Sequence, residues 1–231
     1  MSFSARDKAM VVVSISLLLA TALSTAPSAE TVLLKLRPLP LQEGLELEYA
    51  TKQRHPRRDN FTSRVRIVNI EEGRHSEPSR VRFHWEITDK NRRGAQSEMG
   101  HITTTGIPQG RSYDPWWTDG EDIVTSHNHM WLSQAACREL AQRGETRFAI
   151  SVTHRNDKEV ALKVVGEVTF ETRIDGHPAS LAAVELKSAR NDTLIVLNDC
   201  ENPLVLQANI PGVHQWRLVN VRWRRPKRLS P

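Results

Sequence analysis

The chain is poor in the features that usually disclose a protein's chemistry. Only two of its 231 residues are cysteine, Cys137 and Cys200. Two thiols make one disulfide at most, and in an oxidising compartment an even pair forms it. A nucleophilic thiol would need a histidine in a recognisable relation to it, and neither cysteine has one. The longest apolar run, Met10–Leu23, holds 14 residues, short of the roughly 20 that span a bilayer. G-x-S-x-G, a glycine-rich phosphate loop and H-E-x-x-H are all missing, so the common sequence marks of serine hydrolases, nucleotide binders and zinc peptidases do not apply. Repeats and low-complexity tracts are absent too.

What is there begins with an address. Arg6 and Lys8 precede the apolar run, and small residues follow in "STAPSAE". This is the layout of a secretory signal peptide over residues 1–29, with cleavage expected between Ala22 and Ala29. No cysteine stands near those points to carry a lipid. The mature chain is therefore expected to be soluble and either secreted or periplasmic, with no transmembrane segment. Residues 30–223 then form a β-rich domain, divisible into two lobes near the irregular stretch 106–120, and residues 224–231 form a basic tail. With 39% apolar and 26% charged residues, the chain can bury a core.

Strand periodicity dominates. Leu45, Leu47 and Tyr49 alternate with Glu46 and Glu48, and Val81, Phe83, Trp85 and Ile87 alternate with Arg82, His84 and Glu86. A period of two is the mark of a strand with one dry and one wet face. In "SRVRIVNI" the parity changes at Val68 and Ile70, which predicts a bulge or a bend. Residues 160–174 alternate for longer than an ordinary strand, and Gly166 is the natural bending point. Asp175–Gly176 signals a tight hairpin. Further strands are expected at 180–186, 193–197, 204–210 and 215–223. One helix interrupts them at about 133–143, with Ser133 as N-cap, Gly144 as stop and a stripe of Ala136, Cys137, Leu140 and Ala141. The order of elements predicts a mainly β fold, an antiparallel barrel or sandwich with one short helix.

Three constellations carry candidate chemistry. In "SHNHMW", a strand would put Ile123, Thr125, His127, His129 and Trp131 on one face, with the two imidazoles side by side as zinc ligands. Asp119, Glu121, Asp122, His84, His101 or His154 could supply a third ligand. The plainer reading is two histidines on a partly exposed strand, with no cofactor. In "YDPWWTDGED", Tyr113, Trp116 and Trp117 beside carboxylates could hold a ligand, although a large ring more often plugs a core. The basic clusters are the third. Lys52, Arg54, Arg57 and Arg58 stand in one loop, and Lys90, Arg92 and Arg93 in another. Alternate loops of a meander emerge at one end, so these two would be neighbours and could bind an anionic lipid or another polyanion. Aromatic interleaving of the kind that single-stranded nucleic acid requires is missing, so nucleic acid is not the expected partner.

The overall expectation is an exported, non-enzymatic protein that binds an amphipathic or anionic ligand or serves as a structural part of the cell envelope. The alternative is a metal-dependent hydrolase centred on His127 and His129.

Overall fold

A computed structural model of the chain describes residues 39–55, 58–72, 78–88, 97–114, 122–151, 157–211 and 214–224. The expected leader and most of the basic tail lie outside the described residues. Within them the elements run β1 Leu45–His55, β2 Arg58–Glu72, β3 Pro78–Thr88, β4 Ser97–Thr104, β5 Ser112–Tyr113, β6 Asp122–Thr125, α1 Gln134–Arg143, β7 Glu145–Ser151, β8 Asp157–Ile174, β9 His177–Ser188, β10 Thr193–Leu197, β11 Val205–Ile210 and β12 His214–Trp223. The fold is mainly β, as the periodicity requires.

All twelve strands belong to one sheet, ordered β5-β7-β8-β9-β10-β11-β12-β1-β2-β3-β4-β6. Every long pairing is antiparallel. The parallel ones are short: β4 with β6, β5 with β7, and a single pair, Val221 with Ile174, joining β12 to β8. The two ends of this order also meet. Asn128, just beyond β6, bridges Tyr113 of β5 in parallel, its N–H donating to the Ser112 carbonyl at 2.9 Å and its carbonyl accepting from Asp114 N–H at 2.8 Å. The sheet thus returns on itself, and its inner face is filled by Trp85, Trp131, Tyr49, Tyr113, Phe83 and Phe148, all fully buried.

Local signals land where the chemistry places them. The β2–β3 register slips between Ile67 and Asn69, leaving Val68 as the extra residue with its side chain turned outward. The β8–β9 register slips between Val164 and Gly166. Asp175 and Gly176 both take positive φ, 51° and 83°, as a two-residue primed turn demands. The Ser133 hydroxyl accepts from Ala136 N–H at 3.1 Å, and Gly144 ends the helix at φ 71°. One detail differs: Ala141 is exposed, and the buried face of α1 is Gln134, Ala136 and Leu140. Cys137 and Cys200 form the disulfide, with Cα atoms 5.4 Å apart, and clip α1 to the turn before β11. Among the described residues no helix is long and apolar enough to cross a membrane.

Glu46 shows how the sheet handles a charge that alternation assigns to solvent. It is almost wholly covered, because Arg224 and Arg64 reach its two oxygens at 2.8 and 3.5 Å. Arg222 likewise reaches Glu48 at 3.8 Å. Arg222 of β12 and Arg224, the first residue of the basic tail, are therefore both committed to β1.

Candidate functional site

The "SHNHMW" segment does not run on as a strand. β6 stops at Thr125, and the chain then passes through the middle of the fold. Residues 128–134 are seven consecutive buried positions. A run this polar can be buried because its backbone is satisfied on both sides. Asn128 bonds to β5. Farther along, Leu132 N–H donates to the Pro203 carbonyl and Val205 N–H to the Met130 carbonyl, at 2.9 and 2.8 Å. The Trp131 indole N–H donates to Asn202 Oδ1 at 2.9 Å. The loop 106–110 closes over the segment so tightly that a Cβ on Gly106 would stand 2.5 Å from the Ser126 carbonyl and 2.6 Å from Asn128 Oδ1.

The two histidines consequently part company. His127 is half-buried, with Nδ1 2.8 Å from Ser112 Oγ. His129 is 3% exposed and stacks edge-on against Phe83, ring centres 5.9 Å apart. The expected partly exposed strand is corrected for His129, which is a core residue. Among the described residues neither of its ring nitrogens meets a partner in good hydrogen-bond geometry. Burial pushes its pKa down to about 3, the backbone of Asp114 offsets part of this without reaching hydrogen-bond geometry, and His127 adds to it. The ring is neutral at all ordinary pH. Among the described residues no three His, Cys, Asp or Glu side chains converge to hold a metal ion. Asp119, Glu121 and His154 lie outside the described residues.

Tyr113 is a plug. It is fully buried, its ring 6.5 Å from Trp216, which meets Tyr49 edge-on at 4.7 Å. Burial drives its hydroxyl well above the usual phenol range. Tyr113 offers no platform to a ligand in solvent, while Trp116 and Trp117 lie outside the described residues.

The strands flanking the basic loops form the expected meander. His55 pairs with Arg58 across the β1–β2 turn, Thr62 pairs with Thr88, and Thr88 with Ser97 across the β3–β4 turn. The strand ends that flank both basic loops therefore lie at the same end of the sheet, about 13 Å apart along β2 at 3.3 Å per residue. The β2–β3 turn, after Glu72, leaves the opposite end. Arg54 and Arg58 lie in strands without described side chains, and Arg57, Arg92 and Arg93 lie outside the described residues.

The outer face of β2, β3, β4 and β6 holds a constellation that sequence spacing does not reveal. Register sets Arg66, His84, His101 and Asp122 side by side across four strands. The His84 and His101 rings are 5.0 Å apart, and His101 Nδ1 is 3.4 Å from Asp122 Oδ1. Burial, then His101, then Arg66 lower the pKa of His84, with Glu86 opposing them. Beside this row a shallow cavity of about 300 Å³ is lined by Val68, Asn69, Glu71, Arg80, Arg82 and Thr103. Arg80 pairs with Glu71 at 3.5 Å and Arg82 with Asp122 at 3.3 Å. Strand pairing was the missing signal, since 17 positions separate the two histidines.

No family model, no curated protein and no solved structure matches this chain.

Proposed function

We propose that the protein works outside the cytoplasm as a non-enzymatic binding protein, and that its ligand is a polyanion, in the first instance an anionic lipid surface, held at the end of the sheet where the β1–β2 and β3–β4 turns emerge. The observation that supports this reading is the register, which sets the strand ends flanking two arginine-rich sequences at one end of the sheet. Seven of the residues at 52–58 and 90–93 are cationic by sequence: Lys52, Arg54, Arg57, Arg58, Lys90, Arg92 and Arg93. Like charges crowded on one end raise the local potential and attract counter-charges within about 10 Å at ordinary salt. The leader sequence and the disulfide support export, because disulfides persist in oxidising compartments.

The test is sedimentation with vesicles of neutral lipid and of mixed anionic lipid. Binding should require the anionic component and weaken as salt rises. The quadruple variant Arg57→Glu, Arg58→Glu, Arg92→Glu, Arg93→Glu should lose it while keeping the wild-type circular dichroism spectrum. Binding that survives this reversal would refute the reading. The buried imidazole of His129, two positions from the half-buried His127, favours a second reading, a metal-dependent hydrolase centred on His127 and His129. Elemental analysis of untagged protein from the native host, with and without the His129→Leu change, decides that one.

A further inference from the structure

We propose that His84, His101 and Asp122 form a binding site for a transition-metal ion of the zinc, nickel or copper(II) class, built across β3, β4 and β6. The three residues come from separate strands and are held opposite one another by backbone pairing: His84 with His101, and His101 with Asp122. Such a site is pre-spaced by the sheet, because neighbouring strands lie about 4.8 Å apart.

The spacing fits one ion. Two imidazoles bound to a tetrahedral metal at about 2.0–2.1 Å have ring centres about 5 Å apart, and any two ligand atoms stand about 3.4 Å apart. The ring centres here are 5.0 Å apart, and His101 Nδ1 is 3.4 Å from Asp122 Oδ1. Two imidazoles and a carboxylate form a borderline donor set, which selects zinc and its neighbours over calcium or magnesium. As the side chains stand, the donor atoms do not yet converge. Metal binding would therefore require the two half-buried imidazoles to turn. The remaining coordination positions face solvent and would be filled by water.

One residue opposes the site. Arg82 donates to both Asp122 oxygens, at 3.4 and 3.3 Å. A metal must compete with that guanidinium for the carboxylate, so the affinity is set by Arg82 as much as by the ligands. Removing Arg82 should tighten binding.

Calorimetric titration of untagged protein with zinc chloride and with nickel chloride tests the proposal. Wild type should bind one ion per chain. His84→Gln and His101→Gln should each weaken binding by more than about 100-fold, since even groups behind a ligand are worth 10–100-fold. Asp122→Asn should weaken it less, and Arg82→Ala should strengthen it. Unchanged metal-free melting curves would show that each variant folds. Absence of saturable binding by the wild type would overturn the proposal. So would binding undiminished in both histidine variants, including the case where it is lost only on changing His127 or His129.

Discussion

Two pairs of histidines behave in opposite ways. His127 and His129 are neighbours in sequence, yet one bonds to Ser112 at a half-open position and the other is sealed against Phe83. His84 and His101 are far apart in sequence, yet their rings meet edge-on, 5.0 Å apart, on an open sheet surface. Proximity along the chain brought the first pair under suspicion; proximity across the sheet gives the second pair its chemistry. The difference lies in what surrounds each ring. A polar letter in a sequence says that the group wants a partner. It does not say whether the backbone around it will pull it inward.

The segment of His129 leads into α1, which the disulfide clips to the turn before β11, so the largest effect should come from cutting that clip. Cys137→Ser/Cys200→Ser opens a loop of 63 positions and should cost about 4 kcal/mol on the chain-entropy account. Urea unfolding of the wild type and the double variant measures it. A loss below about 1 kcal/mol would mean that the backbone bonds from 130–132 to 203–205 hold the segment unaided.

Next in size is the buried ring itself. His129→Ala should cost about 2–4 kcal/mol, as large-to-small changes in a packed core do, whereas His127→Ala should cost well under half as much. Equal, negligible losses at both positions would return the segment to the surface. Two histidines on a partly exposed strand would make both changes nearly neutral; the burial of His129 reverses that for its side chain.

Much of the fold is legible in the sequence. Val68 breaks the parity of its neighbours, Gly166 leaves a gap in a strand too long to stay straight, and Asp175–Gly176 offers the positive φ that a tight turn needs. Those signals are local, and each acts within a few residues. What is not legible is non-local. β5 has two residues and β6 four, too few for any period, and they are strands only because β5 pairs with β7 and β6 with β4. Glu46 reads as solvent-facing because alternation says so; it is covered because Arg64 and Arg224 arrive from β2 and from beyond β12. His129 sits in a polar run, and its burial is decided by carbonyls and N–H groups some 75 positions away. The candidate row on the outer face depends entirely on register, which no single strand encodes.

Acid should separate the two pairs further. His129 has a folded pKa near 3 against an ordinary value of 6.5, so the unfolded chain binds a proton that the folded chain refuses. Stability is fully present above about pH 6.5 and falls as the pH drops toward 3, at about 1.4 kcal/mol per unit from this one group. Glu139 adds a second loss lower down: its hydrogen bonds from Arg111 and Thr146 hold its pKa at about 2, so its contribution is present above pH 4.5 and disappears as pH falls to 2. Urea midpoints at successive pH values should show the first slope, and His129→Leu should flatten it between pH 6 and 4. An unchanged slope in that variant would assign the acid sensitivity elsewhere.

The smallest effect is expected at the open pair. His84 and His101 are directly opposed across β3 and β4, and such cross-strand contacts are worth about 0.2–1 kcal/mol. His101 is 39% exposed at the side chain, so its polar atoms lose nothing to burial when the partner is removed. Each alanine variant alone should shift metal-free stability by less than about 0.5 kcal/mol. A double-mutant cycle of His84→Ala and His101→Ala, run in a chelator, isolates the coupling and should find it small. A coupling above about 1.5 kcal/mol without metal would show that the rings support the sheet, and it would leave their pairing explained by structure alone. Repeating the cycle with zinc in excess sharpens the contrast: the wild type should then gain stability that neither single variant gains, because an ion bound only by the folded pair adds its binding free energy to folding. The same cycle at His127 and His129 should respond to neither condition.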